Sequence, residues 1–203
     1  MEEVCIINYG LGNLQSLKNA LLKCDYKPII TTDSNILQNS KKIILPGVGH
    51  FGFAMKKLKQ LNLDKTIKNL VREKKKVIAI CLGMQLLLEA SEEAENIDGL
   101  GIFSGKVKKL KNDSSKEALP HISWKKIYSK EEVLELRNLV KKKYYFIHSY
   151  YCDVKKEDTL FESKYNGDFF VSAIKKNNCF GLQFHPEKSG ESGLKLLSYL
   201  LNK

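Results

Sequence analysis

Cys81 is the residue whose position most strongly suggests chemistry. An apolar run at residues 77–80 leads directly into it, and Leu82 and Gly83 follow before a second apolar stretch. The run predicts a buried strand and the stretch predicts a helix, with Gly83 permitting a tight turn between them. A thiol at such a turn faces outward, close to backbone N–H groups that favour a thiolate and a developing oxyanion. Cys81 is therefore a candidate nucleophile, although free cysteines are also among the most buried residues in proteins.

A histidine and a glutamate follow another apolar run near the C-terminus. Residues 179–184 predict a strand that leads directly into His185, Pro186 and Glu187. The spacing brings the imidazole near the carboxylate, and Pro186 stiffens the turn because its ring restricts φ. A carboxylate beside an imidazole orients the ring, and the imidazole can then take a proton from a thiol. His185 and Glu187 thus complete a nucleophile–base–orienter set with Cys81, each at the carboxyl end of a strand, where open α/β sheets place their sites.

A glycine-containing loop follows a third predicted strand. Residues 42–46 predict the strand, and Gly47, Val48 and Gly49 come directly after it. Glycines at this position let the backbone approach a ligand and turn its amides inward, either to cradle a phosphate or to supply an N–H to an oxyanion. The pattern leaves both roles open, but the absence of a Walker motif argues against a P-loop that binds a nucleotide.

These three loops require strands and helices that bring them together. The first half of the chain alternates strands at 4–8, 29–31, 42–46 and 77–80 with helices at 14–22, 51–61, 63–71 and 84–90. This alternation predicts a parallel, doubly wound sheet with helices on both faces. After Gly99 we expect shorter strands at 102–110, 122–128, 144–150 and 169–174, then a last helix at 191–201. The polar segment 111–117 predicts a mobile loop, and residues 1–203 are expected to form a single α/β domain.

Composition narrows the class of protein. The 203 residues are 43% hydrophobic and 28% charged, which is typical of a globular protein, and no apolar run is long enough to suggest a membrane span. The acidic start leads directly into a strand, so we expect no secretory signal. Five scattered cysteines without a Cys-x-x-Cys pair predict reduced thiols and a cytoplasmic location.

Charge and histidine spacing argue against two other kinds of site. The net charge of +11 is spread over separate lysine groups, which favours a solvated surface over a nucleic-acid interface. Of the four histidines, His50 is expected to line the site, whereas His121 and His148 lie in strand-like segments and are expected to be structural. The sequence contains no His-Glu-x-x-His motif or clustered His/Cys spacing, so it predicts no metal.

Three segments resemble the signature blocks of the class I (triad) glutamine amidotransferases. They are Pro46-Gly47-Val48-Gly49, Cys81-Leu82-Gly83-Met84-Gln85 and Gln183-Phe184-His185-Pro186-Glu187. Within that family, further stretches are similar to the glutaminase subunits of imidazole glycerol phosphate synthase, at residues 8–14, 91–93, 99–101, 119–124, 146–150 and 185–189. The resemblance covers essentially the whole chain, in the family's order.

The resemblance implies a class I glutamine amidotransferase fold and hydrolysis of L-glutamine by a Cys81–His185–Glu187 triad, with no cofactor. It implies that six further residues hold the substrate or its oxyanion: Gly49, Leu82, Gln85, Glu93, Ser149 and Tyr150. For Glu93, a solvated helix end is the alternative interpretation. The ammonia would pass, without entering bulk water, to a cyclase subunit with a (β/α)₈ barrel. This heterodimer would make imidazole glycerol phosphate and aminoimidazole carboxamide ribotide in histidine biosynthesis.

Three positions depart from the family pattern and leave the partner open. Ala79 replaces a glycine usual before the nucleophile, and Ser123 and Lys125 replace the Gly and Asn usual around Trp124. That segment is similar to one that meets the cyclase, so a sugar amidotransferase of surface-polysaccharide or nonulosonate biosynthesis is the alternative partner. A regulatory module without turnover is a third possibility, against which the intact triad argues.

Overall fold

Strands and helices alternate through the first half of the chain, as predicted. The computed structural model describes residues 1–111, 118–129, 136–140 and 142–203, so beyond Lys111 the predicted mobile loop lies outside the described residues. The first elements are β1 Glu2–Ile7, α1 Leu14–Lys23, β2 Tyr26–Thr31, α2 Ser34–Asn39, β3 Lys42–Leu45, α3 Phe51–Gln60, α4 Leu63–Arg72, β4 Lys76–Ile80 and α5 Leu82–Leu86. Only α2 was not predicted. This helix has six residues, too few to show a helical period in the sequence. The Asp33 side chain caps its first turn by accepting a hydrogen bond from Asn35 N.

In the part of the second half that the structure describes, the main elements are strands and one long helix. These elements are β5 Ala90–Ser91, β6 Gly105–Lys109, β7 His121–Lys126, β8 Lys143–His148, β9 Tyr150–Val154, β10 Thr159–Tyr165, β11 Asp168–Lys176, β12 Cys179–Leu182 and α6 Gly190–Asn202. The strand predicted at 144–150 is interrupted at Ser149, which separates β8 from β9. β10 was missed, although its alternating burial and the Asn166-Gly167 turn after it are the ordinary signal of a hairpin.

The helix after Cys81 is shorter than predicted. α5 ends at Leu86, whereas the apolar pattern predicts a helix through Ala90. The N–H of Glu89 donates to the Gly105 carbonyl at 3.3 Å, and the Glu89 carboxylate accepts from Gly105 N at 3.0 Å. The chain therefore leaves the helix to pair with β6. Because the leucines at 86–88 are buried all the same, their hydrophobicity could not reveal where the helix ends.

Among the described residues, seven strands form the central sheet, in the order β10-β11-β12-β4-β3-β1-β2. β12, β4, β3, β1 and β2 are parallel, and β11 and β10 extend the sheet in antiparallel pairing. Two small sheets, β5-β6-β9 and β7-β8, supply the extra strands expected in the C-terminal half. The mostly parallel α/β fold is therefore confirmed.

Helices cover both faces of the central sheet, because the side chains of its strands alternate between two cores. Ile78 and Ile80 pack with α1 and α6, whereas Val77 and Ala79 pack with α2, α3, α4 and α5. β12, β4 and β3 are neighbours and run in the same direction, so their carboxyl ends meet at one edge. That edge brings the three predicted loops together.

The cysteines and helices agree with two expectations from composition. All five cysteines are free, and four of them are buried. Among the described helices, none combines the length and the hydrophobicity needed to cross a membrane.

Candidate active site

Cys81 lies in a strained turn between β4 and α5. Its backbone has φ 54° and ψ −113°, a conformation that residues other than glycine rarely adopt. Its N–H donates to the Leu182 carbonyl of β12 at 2.7 Å, and its own carbonyl accepts from Gln85 N. Gly83 allows the turn to approach β3, since a Cβ there would overlap the carbonyl oxygen of Leu45. The strained turn presents the thiol at the sheet edge, where it is 7% exposed.

His185 and Glu187 form a buried pair beside this turn. The Nδ1–H of His185 donates to Glu187 Oε1 at 2.7 Å, and the two side chains are only 3% and 2% exposed. The His185 N–H donates to the Tyr145 carbonyl of β8 at 2.9 Å. Ser189 Oγ donates to the His185 carbonyl at 2.6 Å and accepts from Tyr145 N at 2.9 Å. The imidazole is thus fixed in tautomer by Glu187 and in position by β8.

The surroundings of His185 favour its charged form. Burial alone lowers its pKa, but the neighbouring Cys81 sulfur and the Glu187 carboxylate reverse this effect and raise the pKa to about 10. Nε2 makes no hydrogen bond to a described residue. It is therefore the ring nitrogen that can exchange a proton with the sulfur or with a bound substrate.

The predicted site residues line one pocket of about 250 Å³. Its lining comprises Val48, Gly49, Cys81, Leu82, Gln85, Glu93, Pro120, Ile147, His148, Ser149, Tyr150 and His185. Of the nine predicted residues, only Glu187 lies outside the lining, because it packs behind His185. The sequence did not identify Val48, Pro120, Ile147 or His148 as lining residues, although each lies within a segment singled out there.

Gln85 and Tyr150 are joined inside the pocket wall. Gln85 Nε2 donates to the Tyr150 carbonyl at 2.9 Å and to Gln183 Oε1 at 3.2 Å. The Ser149 carbonyl accepts from Leu110 N at 2.9 Å. The backbone carbonyls of Ser149 and Tyr150 therefore both have protein partners. This segment would contact a ligand through its N–H groups and side chains.

Glu93 connects the pocket to the glycine loop. Its Oε2 accepts from Phe51 N at 2.7 Å, at the beginning of α3 and two residues after Gly49. Glu93 lies in a turn after β5 and is half-buried, so the alternative of a solvated helix end is wrong. His50 does not line the pocket; its Nδ1 accepts from Gly52 N at 3.1 Å and so caps α3.

His148 is a pocket residue that the sequence assigned to structure alone. Its Nδ1 donates to the Tyr150 carbonyl at 2.8 Å, and its ring meets His121 edge-on with centroids 5.3 Å apart. Burial, and secondarily His121, lower the pKa of His148 to about 3, so its imidazole is neutral. Its place two residues before Tyr150 on an alternating strand is the signal that could have identified it.

The fold and this site define a class I glutamine amidotransferase. The family model for class I glutamine amidotransferases matches residues 5–200, and the chain belongs to that family. A solved structure described as a glutamine amidotransferase superposes with a TM-score of 0.76 at 15% identity, covering 98% of this chain and 97% of its own; that likeness concerns the fold.

Relatives define the branch of the family. The chain is 40% identical over 204 residues to imidazole glycerol phosphate synthase subunit HisH 2 of Methanococcus maripaludis, covering 98% of this chain and 99% of the relative. It is 42% identical over 199 residues to subunit HisH of Pyrococcus furiosus, covering 97% of each. The chain therefore belongs to the HisH family. The sequence left two partners open, a cyclase and a sugar amidotransferase. These relatives favour the cyclase, because they are named as subunits of imidazole glycerol phosphate synthase.

Proposed function

We propose that this chain is the glutaminase subunit of an imidazole glycerol phosphate synthase and acts in histidine biosynthesis. The observation that carries the proposal is the 2.7 Å contact between His185 and Glu187, with the free Nε2 of His185 in the pocket that Cys81 lines. A cysteine in a pocket without such a pair would have neither a base to take its proton nor a carboxylate to orient that base.

In the first half of the reaction, the Cys81 sulfur attacks the side-chain amide carbon of glutamine. His185 takes the thiol proton, and backbone N–H groups at Gly49 and Leu82 receive the oxyanion. When the tetrahedral intermediate collapses, the C–N bond breaks and His185 gives its proton to the departing nitrogen. Ammonia leaves, and a glutamyl thioester remains on Cys81.

In the second half, water hydrolyses the thioester. His185 removes a proton from the water, which adds to the thioester carbon, and the C–S bond then breaks to release glutamate. The proton returns to the sulfur. Glu187 accepts from the same ring nitrogen throughout, and so holds the imidazole in the tautomer that both halves need.

Four pocket residues are positioned to select glutamine. The Glu93 carboxylate supplies a negative charge suited to the α-ammonium group, and Gln85, with both amide hydrogens engaged, has its amide oxygen left to accept a hydrogen bond from the substrate. Ser149, between β8 and β9, and Tyr150, the first residue of β9, line the same pocket. Residues on three separate elements thus surround the amide that Cys81 attacks.

An exposed apolar surface beside the pocket supports docking of a synthase partner. Ile122 and Trp124 on β7 and Ile147 on β8 are 58%, 49% and 37% exposed, and Ile122 faces Ile147 across the strand pair. Ile147 also lines the pocket. A partner covering this surface would border the active site, as ammonia transfer requires. We propose a cyclase with a (β/α)₈ barrel, in a heterodimer with this chain.

The test is glutamine hydrolysis by the purified chain, alone and with the cyclase subunit and its ribotide ligand. We expect weak hydrolysis alone, a sharp rise in the complex, and a 1:1 complex in size-exclusion chromatography. Ile122→Ser should weaken the complex, whereas Phe169→Ser, a similarly exposed apolar position on β11, should not. Full turnover by the isolated chain that no partner changes would contradict the proposal.

A further inference from the structure

The sulfur of Cys81 has two hydrogen-bonding neighbours of opposite kind. The thiol donates to the Ile147 carbonyl at 3.7 Å, and the Nε2 of Gln183 donates to the sulfur at 3.9 Å. Gln183 is completely buried, on the segment between β12 and His185. A carbonyl oxygen can stabilise only the protonated sulfur, whereas an N–H stabilises the thiolate more than the thiol.

The surrounding network determines which end of the Gln183 amide meets the sulfur. The Tyr150 carbonyl can only accept, so it requires the nitrogen end of Gln85. Gln85 therefore also donates an N–H to Gln183, at 3.2 Å, and Gln183 must accept it with its amide oxygen. The Gln183 nitrogen is left facing Cys81.

We propose that Gln183 is a positioning residue for the nucleophile: its amide holds the Cys81 sulfur and favours its ionised form. This deepens the proposed function, since it rests on Cys81 being the nucleophile. When the thiol gives its proton to His185, the bond to Ile147 is lost and the Gln183 N–H remains. The ionised sulfur therefore keeps one of its two partners, and this remaining contact holds it in place for attack.

If Gln183 had only a structural role, its contacts would not change the reactivity of the Cys81 sulfur. A buried amide is costly unless its polar atoms are paired, and both ends of Gln183 find partners among residues of the pocket wall. An apolar side chain of equal length would fill the same space with no need of partners. The choice between the two roles depends on whether removing the N–H changes the reactivity of the sulfur.

The experiment measures the rate at which iodoacetamide alkylates Cys81 as a function of pH, followed by peptide mass spectrometry. It needs neither glutamine nor a partner, so its outcome is separate from that of the glutaminase assay. Gln183→Met removes the donor, and Gln183→Glu keeps the shape while replacing the N–H by an oxygen. Ser163→Ala is the matched control, because it deletes the hydrogen bond of another fully buried side chain, to the Lys126 carbonyl at 2.8 Å.

We expect the midpoint of the rate–pH curve to move up by about one pH unit in both Gln183 variants, since a lost hydrogen bond disfavours the charged form. Ser163→Ala should alkylate like the parent protein even where its thermal midpoint falls. If Gln183→Glu and the parent protein gave the same curve, the proposal would be overturned. Gln183→Glu also decides the question if Gln183→Met fails to fold, and a shift of equal size in Ser163→Ala would assign the effect to lost stability.

Discussion

The Nδ1 atom of His185 lies 2.7 Å from Oε1 of Glu187, and this contact is almost completely shielded from solvent. The second carboxylate oxygen, Oε2, has no hydrogen-bonding partner among the described residues. The charge of Glu187 is therefore directed mainly at one imidazole. Such a pair makes the protonation of His185 part of the stability of the fold as well as of catalysis.

The stability that this pair contributes should depend on pH. The Cys81 sulfur and the Glu187 carboxylate together raise the folded-state pKa of His185 from 6.5 to about 10, so the part that Glu187 contributes is fully present below pH 6.5 and is lost as pH rises towards 10. We expect Glu187→Gln to lower the free energy of unfolding most near pH 6 and progressively less up to pH 10. Urea unfolding of both proteins across that range measures the difference. A difference that grows with pH would contradict the assigned charge state.

Replacing the nucleophile should separate glutamine hydrolysis from use of ammonia. Cys81→Ser should abolish hydrolysis and leave the fold intact, because a serine hydroxyl is far harder for His185 to deprotonate. In complex with the cyclase, supplied ammonium salts should still support synthesis. Circular dichroism and the two activity assays check this. Glutamine-dependent activity retained in Cys81→Ser would place the active site elsewhere.

The histidines should respond differently to replacement. His185→Ala should lower kcat by about 10²–10⁴-fold, the usual contribution of general acid–base catalysis. His121 is 1% exposed and packs against the rings of Phe146, His148 and Tyr165, so His121→Leu should act mainly on stability. Steady-state kinetics and thermal unfolding of both variants are the measurements. Equal losses of turnover at unchanged stability would mean that the triad is misassigned.

Gly49 should affect turnover more than glutamine affinity. Its φ is 105°, and a Cβ there would meet no atom within 4 Å, so a side chain acts through backbone strain of about 1–2 kcal/mol rather than through a clash. Since the oxyanion forms only during reaction, Gly49→Ala and Gly49→Pro should lower partner-stimulated kcat and change KM less. Gly167→Ala is the matched control, with φ 97° and equally open space at a hairpin. Parallel losses in kcat and affinity at Gly49, or similar kinetics for both glycines, would argue against an oxyanion role.

Local sequence patterns were enough to predict the parts of this protein that depend on neighbouring residues. The apolar run before Cys81, the strand before Gly47 and the Pro186 turn between His185 and Glu187 are local patterns, and each appears where it was expected. Parallel strands place such loops at one edge of a sheet, so the nature of the site followed from those patterns together with their resemblance to a family.

The tertiary structure alone decided how distant segments meet. Gln183 reaches Cys81 across 102 residues of sequence, and Glu93 bonds Phe51 across 42, contacts that no local period encodes. The end of α5 at Leu86 also depends on the tertiary structure. Pairing of Glu89 with Gly105 competes with further helical turns in a uniformly apolar stretch. Strand order and long-range hydrogen bonds depend on the packing of the whole chain, which is why the helix end and the pocket's inner wall emerged only from the fold.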